Sequence, residues 1–272
     1  MGTAKRERQR EGRQARLAAA QAAQQRSQRI RTIRNFGILI VVIIVALFVL
    51  ARYNQSDNKQ NASTSSSAGP TACPNPDGSS PRTIDFSSPP PTCIDPAKTY
   101  TATFDTTAGP VVVKLDTTTT PKTANNFVVL SQYHYYDNTT LFRTAQSIGI
   151  IQGGSPHTNS ASDQGPGYPL PDEGYDYSAL SQGPNGATGG PYKYAPGDLI
   201  MARTAAPNGG SAQFFFGATD NVQNLDQQGT YVKFGSATQG LDVLQKILAS
   251  APQDEAPPNP PVTINKVTIT ES

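Results

Sequence analysis

The sequence predicts a mainly β domain, a barrel of short strands closed by two helices, preceded by one transmembrane helix and a disordered polar linker. Three observations predict this organisation. An arginine-rich tail leads directly into a long apolar run near the start of the chain. A stretch rich in Ser, Pro and Thr follows it. From Tyr100 onward, short β-prone runs alternate with Gly and Pro, and two amphipathic segments lie among them, which favours strands and helices sharing one core.

Charge is distributed unevenly along the chain. Residues 1–34 contain ten Lys or Arg and two Asp or Glu, a net charge of +8, so the remainder carries −6 although the whole chain is +2. A basic segment beside an apolar run is typical of a cytoplasmic tail that lies against anionic lipid. We therefore interpret residues 1–34 as a basic cytoplasmic tail and do not expect a nucleic-acid partner.

The apolar run from Phe36 to Ala51 contains no charged residue and would extend about 24 Å as a helix, a little less than a hydrocarbon core of about 30 Å. Arg34 and Arg52 can snorkel at its ends. A cleaved signal peptide would need a small-residue cleavage site, which RYNQSD lacks, and a buried core helix would not usually adjoin such a tail. We expect residues 35–53 to span the cell membrane once, with the N-terminus in the cytoplasm and the rest outside.

Residues 54–99 are predicted to form a polar, Pro/Ser-rich extracytoplasmic linker, because they contain too little apolar surface to order themselves. Cys73 and Cys93 flank its Pro/Ser-rich part. Disulfides persist outside the cytoplasm, so a bridge stabilising the fold by about 3 kcal/mol is expected, with two free thiols as the alternative. Two Cys and two distant His form no ligand cluster, so neither a metal nor a cofactor is expected.

The first half of the domain contains a predicted hairpin and a predicted helix. The runs YTATFD and VVVKLD are joined by TTAG, a pattern typical of two paired strands. Thr120 is expected to cap the helix, with Pro121 at its first position. The sequence TTLFRTAQSIGIIQGG then supplies two short β-like runs. The apolar stripe of the helix consists of Ala124, Phe127, Val128 and Leu130 or Ser131.

The second half contains an insertion, three strands, a helix and a last strand. Residues 155–197 form a long irregular insertion, which favours a functional loop or a lid. Strands are predicted at DLIMART, AQFFFGA, YVKFGSA and VTINKVTIT. Along SAQFFFG, alternation turns Phe214 and Phe216 to the core and Phe215 to the opposite face. The second helix has an apolar face formed by Leu241, Leu244, Ile247 and Leu248.

Familiar catalytic motifs are missing from the sequence. His134 and His157 adjoin no candidate Ser or Cys nucleophile, and no phosphate-binding glycine motif is present. Prolyl isomerisation needs none of these, because no bond breaks and the barrier of about 18–20 kcal/mol is lost amide resonance. An apolar pocket for the ring and a guanidinium near the prolyl nitrogen are sufficient.

The motifs LFRTAQSIGIIQGGS, DLIMART, GGSAQFFFGA and NLDQQGTYVKFG occur in an order that resembles the cyclophilin-type peptidyl-prolyl isomerases. The helix sequences PKTANNFVVL and TQGLDVLQKI also fit, as does PDEG within the insertion, and the resemblance covers about Tyr100 to Thr270. It implies a closed eight-stranded antiparallel barrel capped by two α-helices, with a peptide groove on one face. We accordingly predict an isomerase domain over residues 100–272.

The resemblance also implies roles for single residues. Arg143 matches the catalytic arginine that addresses the prolyl nitrogen, and Gln152 matches the glutamine that orients it and holds the substrate carbonyl. Phe215 matches the aromatic floor of the proline pocket. The other implied substrate-binding positions are Ile150, Met201, Ala202, Thr204, Gln213, Leu225 and Tyr231.

Several positions depart from the family pattern and make the implied apolar pocket thinner than usual. One extra residue separates Arg143 from Gln152. Arg203 adds a positive charge to the groove, although the family uses the backbone carbonyl of this position, and Tyr231 can still donate a hydrogen bond. The departing residues are Phe142 (usually His), Gly149 (Phe), Ser155 (Asp), Arg203 (Asn), Asn224 (Trp) and Tyr231 (His).

We therefore expect a membrane-anchored, monomeric peptidyl-prolyl cis-trans isomerase that assists the folding of exported or cell-envelope proteins. Its expected partners are proline-containing polypeptides and, through residues 35–53, membrane lipid. Two alternatives remain open at this point. One is a catalytically weak module that binds proline peptides, and the other is an envelope scaffold that docks a partner through residues 155–197.

Overall fold

The computed structural model describes residues 71–183 and 186–272. The predicted tail (1–34), the predicted transmembrane helix (35–53) and the first part of the predicted linker (54–70) lie outside the described residues. Among the described residues, no helix combines the length and the apolar character that crossing a membrane requires.

Nine antiparallel strands form one sheet, in the order β3-β11-β1-β2-β10-β8-β9-β5-β4. Strands β6 (Ser181–Gly183) and β7 (Gly186–Thr188) form a separate hairpin within the insertion. The predicted runs that become the longer strands are all confirmed. The sheet consists of β1 (Tyr100–Thr106), β2 (Val111–Leu115), β3 (Thr139–Thr140), β4 (Arg143–Ala145), β5 (Ile150–Gly153), β8 (Asp198–Arg203), β9 (Gly210–Gly217), β10 (Lys233–Gln239) and β11 (Thr263–Glu271).

The two edge strands, β3 and β4, follow each other in the chain, so the sheet curls. Between them, Leu141 N–H donates to the Val262 carbonyl at 2.9 Å, and Phe142 N–H donates to the Gln152 carbonyl at 3.0 Å. Within the described residues no ladder joins β3 to β4. The predicted closed barrel of eight strands is therefore corrected to a curled sheet of nine. The chain from Thr139 to Ala145 pairs with β11 through its first residues and with β5 through its last residues, so this one segment forms both edges of the sheet.

An aromatic core fills the inside of the curl. Phe127, from helix α1 (Pro121–Gln132), stacks on Tyr136 with ring centroids 5.0 Å apart. Phe104 meets Phe214 and Phe216 edge to face at 5.5 and 5.1 Å. Such offset and edge-to-face pairs add to the stabilisation from burial alone. As alternation predicts, Phe214 and Phe216 therefore belong to the interior.

Helix α1 is buried nearly all round, more than its apolar stripe predicts. Asn125 and Asn126 are buried with the stripe because their amides bind backbone groups of other segments. Asn125 Oδ1 accepts from Cys93 N–H at 2.7 Å, and Asn126 Nδ2 donates to the Ser211 carbonyl at 2.7 Å. The two amides thus attach the helix to the chain before β1 and to β9.

The N-terminus of α1 is capped from a distance. Thr120 occupies the N-cap position but makes no side-chain cap, and its hydroxyl donates to the Asp116 carbonyl at 3.0 Å. Instead, the buried carboxylate of Glu173 accepts from Lys122 N–H and Thr123 N–H, each at 2.9 Å. This corrects the predicted Thr120 cap: the carboxylate satisfies two free N–H groups and carries a negative charge, which the helix dipole favours.

The second helix, α2 (Leu241–Ala249), buries most of the predicted apolar face. Leu244, Ile247 and Leu248 are buried, whereas Leu241 is only half-buried at the helix start. Gly240 precedes the helix with φ of +87°. A Cβ atom there would lie 2.5 Å from the Pro110 carbonyl oxygen, so a residue without a side chain is needed at this close approach.

Residues 71–99, here called the N-terminal arm, pack against the sheet domain. Cys73 and Cys93 form a disulfide, and Ile94 is 5% exposed within the main core. Phe86 contacts Tyr133 edge to face at 5.3 Å. The predicted disordered linker is therefore corrected over this part, because the crosslink and a few apolar and amide contacts order a stretch whose composition is that of a linker.

Candidate active site

Three residues singled out by the sequence lie in one row across the sheet. Arg143 on β4 pairs directly with Gln152 on β5, and Gln152 pairs directly with Phe215 on β9. Directly opposite residues of antiparallel strands project from the same face. The register therefore brings the guanidinium, the amide and the aromatic ring to the outer face of the curled sheet.

Hydrogen bonds connect this row to the insertion. Arg143 Nη1 donates to Gln152 Oε1 at 2.7 Å, and Gln152 Nε2 donates to Gln213 Oε1 at 2.9 Å. Gln213 Nε2 in turn donates to the Ala161 carbonyl at 3.3 Å. Gln152 is only 8% exposed, so the chain of amides fixes its orientation at the side of Arg143.

Phe215 lies in a second apolar cluster, separate from the interior one. The buried members of this cluster are Ala145, Ile150, Tyr194, Ile200, Phe215 and Val222. The expectation that Phe215 leaves apolar surface exposed is corrected, because the ring is 3% exposed and the edge of Tyr231 covers it at 5.4 Å between centroids. The accessible part of the cluster comes instead from the half-buried Ile148, Ala202, Leu225 and Tyr231.

Met201 is the one predicted groove residue that the fold turns away. It pairs with Phe214 on β9 and belongs with it to the interior core, at 3% exposure. Phe215 pairs with the preceding residue, Ile200. Because neighbours in a strand project to opposite faces, only one of Ile200 and Met201 can accompany Phe215, which corrects the assignment of Met201.

A groove of about 650 Å³ adjoins the row. One side is formed by Gln152 and Gln213, together with Ala202 from β8 and Thr204 from the turn that follows β8. Part of the insertion, within residues 161–169, supplies another wall. Its contributing residues are Ala161, Asp163, Gln164, Gly167, Tyr168 and Pro169.

Comparison with known proteins identifies this arrangement. The family model described as "Cyclophilin type peptidyl-prolyl cis-trans isomerase/CLD" matches residues 101–269, more than half of the chain. The chain belongs to the cyclophilin-type peptidyl-prolyl cis-trans isomerases. The match coincides with the sheet and both helices, and begins after the N-terminal arm.

Named relatives of this cyclophilin agree with that result. Peptidyl-prolyl cis-trans isomerase B of Escherichia coli K12 is 29% identical over 179 residues, which cover 62% of this chain and 99% of the relative. An isomerase from Streptomyces antibioticus is 30% identical over 154 residues, which cover 54% of this chain and 82% of the relative. A Cryptosporidium parvum cyclophilin-type isomerase, crystallised in the presence of the dipeptide Ala-Pro, has the same fold with a TM-score of 0.50 and 24% identity, covering 63% of this chain and 99% of that one.

Gly149 explains how this cyclophilin replaces the missing pocket phenylalanine. It ends a short 3₁₀ turn (Gln146–Ile148) with φ of +64°, and a Cβ atom there would lie 2.4 Å from Thr219 Oγ1. A side chain cannot be accommodated at this position. The half-buried Ile148, next to it in the turn, supplies apolar surface beside the Phe215 cluster instead.

The side chain of Arg203 is held rather than free in the groove. Its Nη2 donates to Thr230 Oγ1 at 2.7 Å, and its guanidinium carbon lies 5.5 Å from the ring centre of Tyr177 and 5.7 Å from that of Tyr231. Tyr177 belongs to the insertion. The positive charge expected from the sequence therefore stands between two aromatic rings, a cation–π arrangement that attaches the insertion to the groove.

Both histidines have structural partners. His157 lies between Asp163 (Nδ1–Oδ1 3.0 Å) and Asp85 of the N-terminal arm (Nε2–Oδ1 3.1 Å). Burial alone would lower the pKa of His157, but hydrogen bonds to the two carboxylates outweigh it and raise the pKa. His134 contacts Asp137 at 2.8 Å and the Gly78 carbonyl at 2.9 Å. Each imidazole therefore connects the N-terminal arm to the rest of the domain.

Sequence reasoning missed two residues that support the site. Glu173 caps α1 from within the insertion. Glu255, in the loop before β11, contacts Arg143. Neither belongs to a periodic segment, and the only signal was the PDEG sequence around Glu173, which the family resemblance included without a role.

Proposed function

We propose that this cyclophilin catalyses X-Pro rotation in exported or cell-envelope proteins from a position tethered outside the cytoplasm. Its partners are proline-containing polypeptides, and Arg143 and Gln152 are its catalytic residues. The observation that carries the proposal is the row formed by Arg143, Gln152 and Phe215 beside an open groove.

The proposed mechanism uses shape and charge without proton transfer. The proline ring packs on the half-buried apolar residues around Phe215, which places the peptide nitrogen near the guanidinium of Arg143. As the C–N bond twists, the nitrogen loses conjugation and gains electron density that N–H donors stabilise. Gln152 holds the guanidinium through its Oε1, and Gln213 holds the Gln152 amide, so little reorganisation is needed during rotation.

The cellular placement is supported by sequence order and by the arm. A tail with a net charge of +8 precedes the apolar run 36–51, which favours a cytoplasmic N-terminus. The Cys73–Cys93 disulfide suits an oxidising compartment. Uncatalysed X-Pro isomerisation takes tens to hundreds of seconds, so a tethered isomerase would accelerate a slow step for chains emerging at the membrane.

A protease-coupled assay with an X-Pro peptide and the full-length chain in detergent micelles tests the catalytic part. We expect Arg143→Ala to lower kcat/KM by about 100-fold or more, because removing a preorganised donor typically costs 10²–10³. Arg82→Ala is the matched control, since Arg82 binds the His134 carbonyl on another part of the surface. A wild-type rate equal to the uncatalysed rate, or equal rates for Arg143→Ala and wild type, would contradict the proposal.

A second candidate function is proline-peptide binding with weak catalysis. The burial of Phe215 favours it, because a covered ring offers less surface to a proline side chain. NMR exchange spectroscopy separates the two candidates. An isomerase accelerates cis–trans exchange in the peptide, whereas a binding module shifts the peptide resonances and leaves the exchange rate unchanged.

A further inference from the structure

A carboxylate outside all recognised motifs contacts the proposed catalytic arginine. Glu255 lies in the loop between α2 and β11, 112 residues from Arg143 in sequence. Its Oε2 accepts from Arg143 Nε at 2.5 Å, and its Oε1 accepts from Arg143 Nη2 at 3.0 Å. This is the bidentate geometry in which a planar guanidinium and a carboxylate fix each other's orientation.

The loop that carries Glu255 is attached to β4, the strand that carries Arg143. Thr144 donates to the Ala256 carbonyl from its N–H at 2.8 Å and from its Oγ1 at 2.6 Å. On the other side of Glu255, Asp254 accepts from Ser147 N–H at 3.3 Å. Contacts on both sides therefore hold the loop at the position where its carboxylate meets the guanidinium.

The backbone of Glu255 is unusual as well. Its φ is +64°, in the left-handed region that non-glycine residues adopt uncommonly. Such conformations persist where surrounding contacts enforce them, and they are concentrated at functional sites. The contact of Ala256 with β4 and the contact of Asp254 with Ser147 in the following 3₁₀ turn enforce the conformation at Glu255, so it belongs to the same arrangement.

Counting donors shows what the contact leaves available. A guanidinium has five N–H donors. Glu255 occupies one on Nε and one on Nη2, and Gln152 occupies one on Nη1. One donor on Nη1 and one on Nη2 remain for a substrate. With two neighbours holding the plane of the group, these remaining donors have a defined direction.

We propose that Glu255 is a positioning residue that holds the Arg143 guanidinium in its productive orientation, an inference that rests on the proposed catalytic role of Arg143. The carboxylate also opposes the positive charge of the arginine. The Glu255 side chain is 56% exposed, however, so water and salt screen its field, whereas the orientation imposed by two hydrogen bonds remains. Orientation therefore dominates, and Glu255 increases the rate.

Glu255→Ala tests this in the full-length chain. We expect kcat for an X-Pro peptide to fall about five- to tenfold with KM nearly unchanged, because an interaction that serves only the transition state appears in kcat. Glu255→Gln retains an acceptor and should lose less. Glu271→Ala is the matched control: it removes a carboxylate that is bound to Lys98 and Tyr100 instead of to Arg143, and it should leave kcat unchanged.

A double substitution separates positioning from a general effect on the fold. In an Arg143→Ala background, Glu255→Ala should cause no further loss, because the coupling between the two residues is then absent. An equal loss in both backgrounds would overturn the inference, since Glu255 would then act without Arg143. A rise in kcat for Glu255→Ala would also overturn it, because the carboxylate would then compete with the substrate.

An NMR readout keeps this test independent of the proposed function. The Arg143 Nε–H resonance should be protected from exchange with water in the wild type and lose that protection in Glu255→Ala. Unchanged protection of the Arg143 Nε–H in Glu255→Ala would overturn the inference, whatever the activity of that variant. If Arg143→Ala lowers kcat and Glu255→Ala does not, the inference alone fails, whereas a wild type without isomerase activity overturns the proposed function.

Discussion

Phe214 and Phe215 are adjacent in sequence and equally buried, yet they belong to different apolar clusters. Replacing either with Leu should lower the free energy of unfolding by about 1–3 kcal/mol through lost contact area and imperfect packing. Only Phe215→Leu should also raise KM for a proline peptide, since only that ring underlies the groove side of the sheet. Thermal unfolding and steady-state kinetics on both variants check this. Equal changes in KM would show that the groove does not use Phe215.

His157 is the residue from which we expect a pH effect on stability. Its folded pKa is raised above the ordinary value of about 6.5 by Asp163 and Asp85. A raised pKa means that protonated His157 stabilises the fold, fully below the unfolded pKa, and that this stabilisation is lost as the pH rises through the folded pKa. The wild type should therefore lose more thermal stability than His157→Gln does as the pH rises from the ordinary histidine pKa of about 6.5 through the raised folded pKa.

Asp163, which faces His157, titrates in a different range. Burial alone would raise the pKa of Asp163, but hydrogen bonds from His157 and from backbone N–H groups hold it below its ordinary value. Its contribution is present above the unfolded pKa and is lost only in acid, as the pH falls through the folded pKa. The comparison above about pH 6 therefore reports on the imidazole, and identical pH profiles for wild type and His157→Gln would contradict its role.

At the scale of elements, the cap of α1 connects the insertion to the core. Glu173→Ala removes the acceptor for Lys122 N–H and Thr123 N–H and leaves both donors unpaired, the second of them buried. We expect the free energy of unfolding to fall by about 1–3 kcal/mol. Chemical denaturation measures it, with Glu173→Gln as the control that keeps one acceptor oxygen. No change in Glu173→Ala would mean that water replaces the carboxylate at no cost.

The N-terminal arm should depend on its crosslink. Closing the loop between Cys73 and Cys93 removes conformational freedom from the unfolded chain, so replacing both with Ala should cost about 3 kcal/mol. The arm should also become sensitive to proteases before the sheet does, because only noncovalent contacts, such as those of Phe86, Ile94 and Asn125, then hold it. Limited proteolysis with and without reductant measures this. Equal cleavage rates would indicate that packing suffices.

Strands and helices were predictable from sequence where apolar residues recur with the spacing of a strand or of a helix. Alternation assigned Phe214 and Phe216 to the interior, and the helical stripe placed Phe127 there. The contacts of Glu173 and Glu255 were not predictable, because they join residues 51 and 112 positions apart along paths set by irregular loops. A side chain that binds backbone or an arginine across such a distance leaves no periodic signal.

The site was predictable to a similar extent. Family motifs selected Arg143, Gln152 and Gln213, and the register brings these together. The burial of Phe215 was harder to predict from the sequence. Its ring contacts the ring of Tyr231, and this contact depends on the path of the chain between β9 and β10. Met201 is a second example. The family motif predicts that it lies in a strand beside the groove, but the register of β8 with β9 determines which face of the sheet its side chain occupies.

At the scale of the whole molecule, the proposed topology is open to a direct test. An alkaline phosphatase reporter fused after Ser272 should be active in a bacterial host, because that enzyme needs an oxidising compartment for its disulfides. Replacing the arginines of residues 1–34 with neutral residues should reduce the active fraction, since the positive charge fixes the orientation. An inactive reporter with the wild-type tail would contradict an extracytoplasmic domain.

The meeting of β3 and β4 has a consequence for the tendency of the sheet to aggregate. An exposed sheet edge presents unpaired N–H and C=O groups on which another chain can add a strand and start an aggregate. Here the edges are two and three residues long, and the chain between them bonds to β11 on one side and to β5 on the other. The curl thus leaves little of the sheet edge unpaired within the described residues, so little of it can serve as a template for β-aggregation.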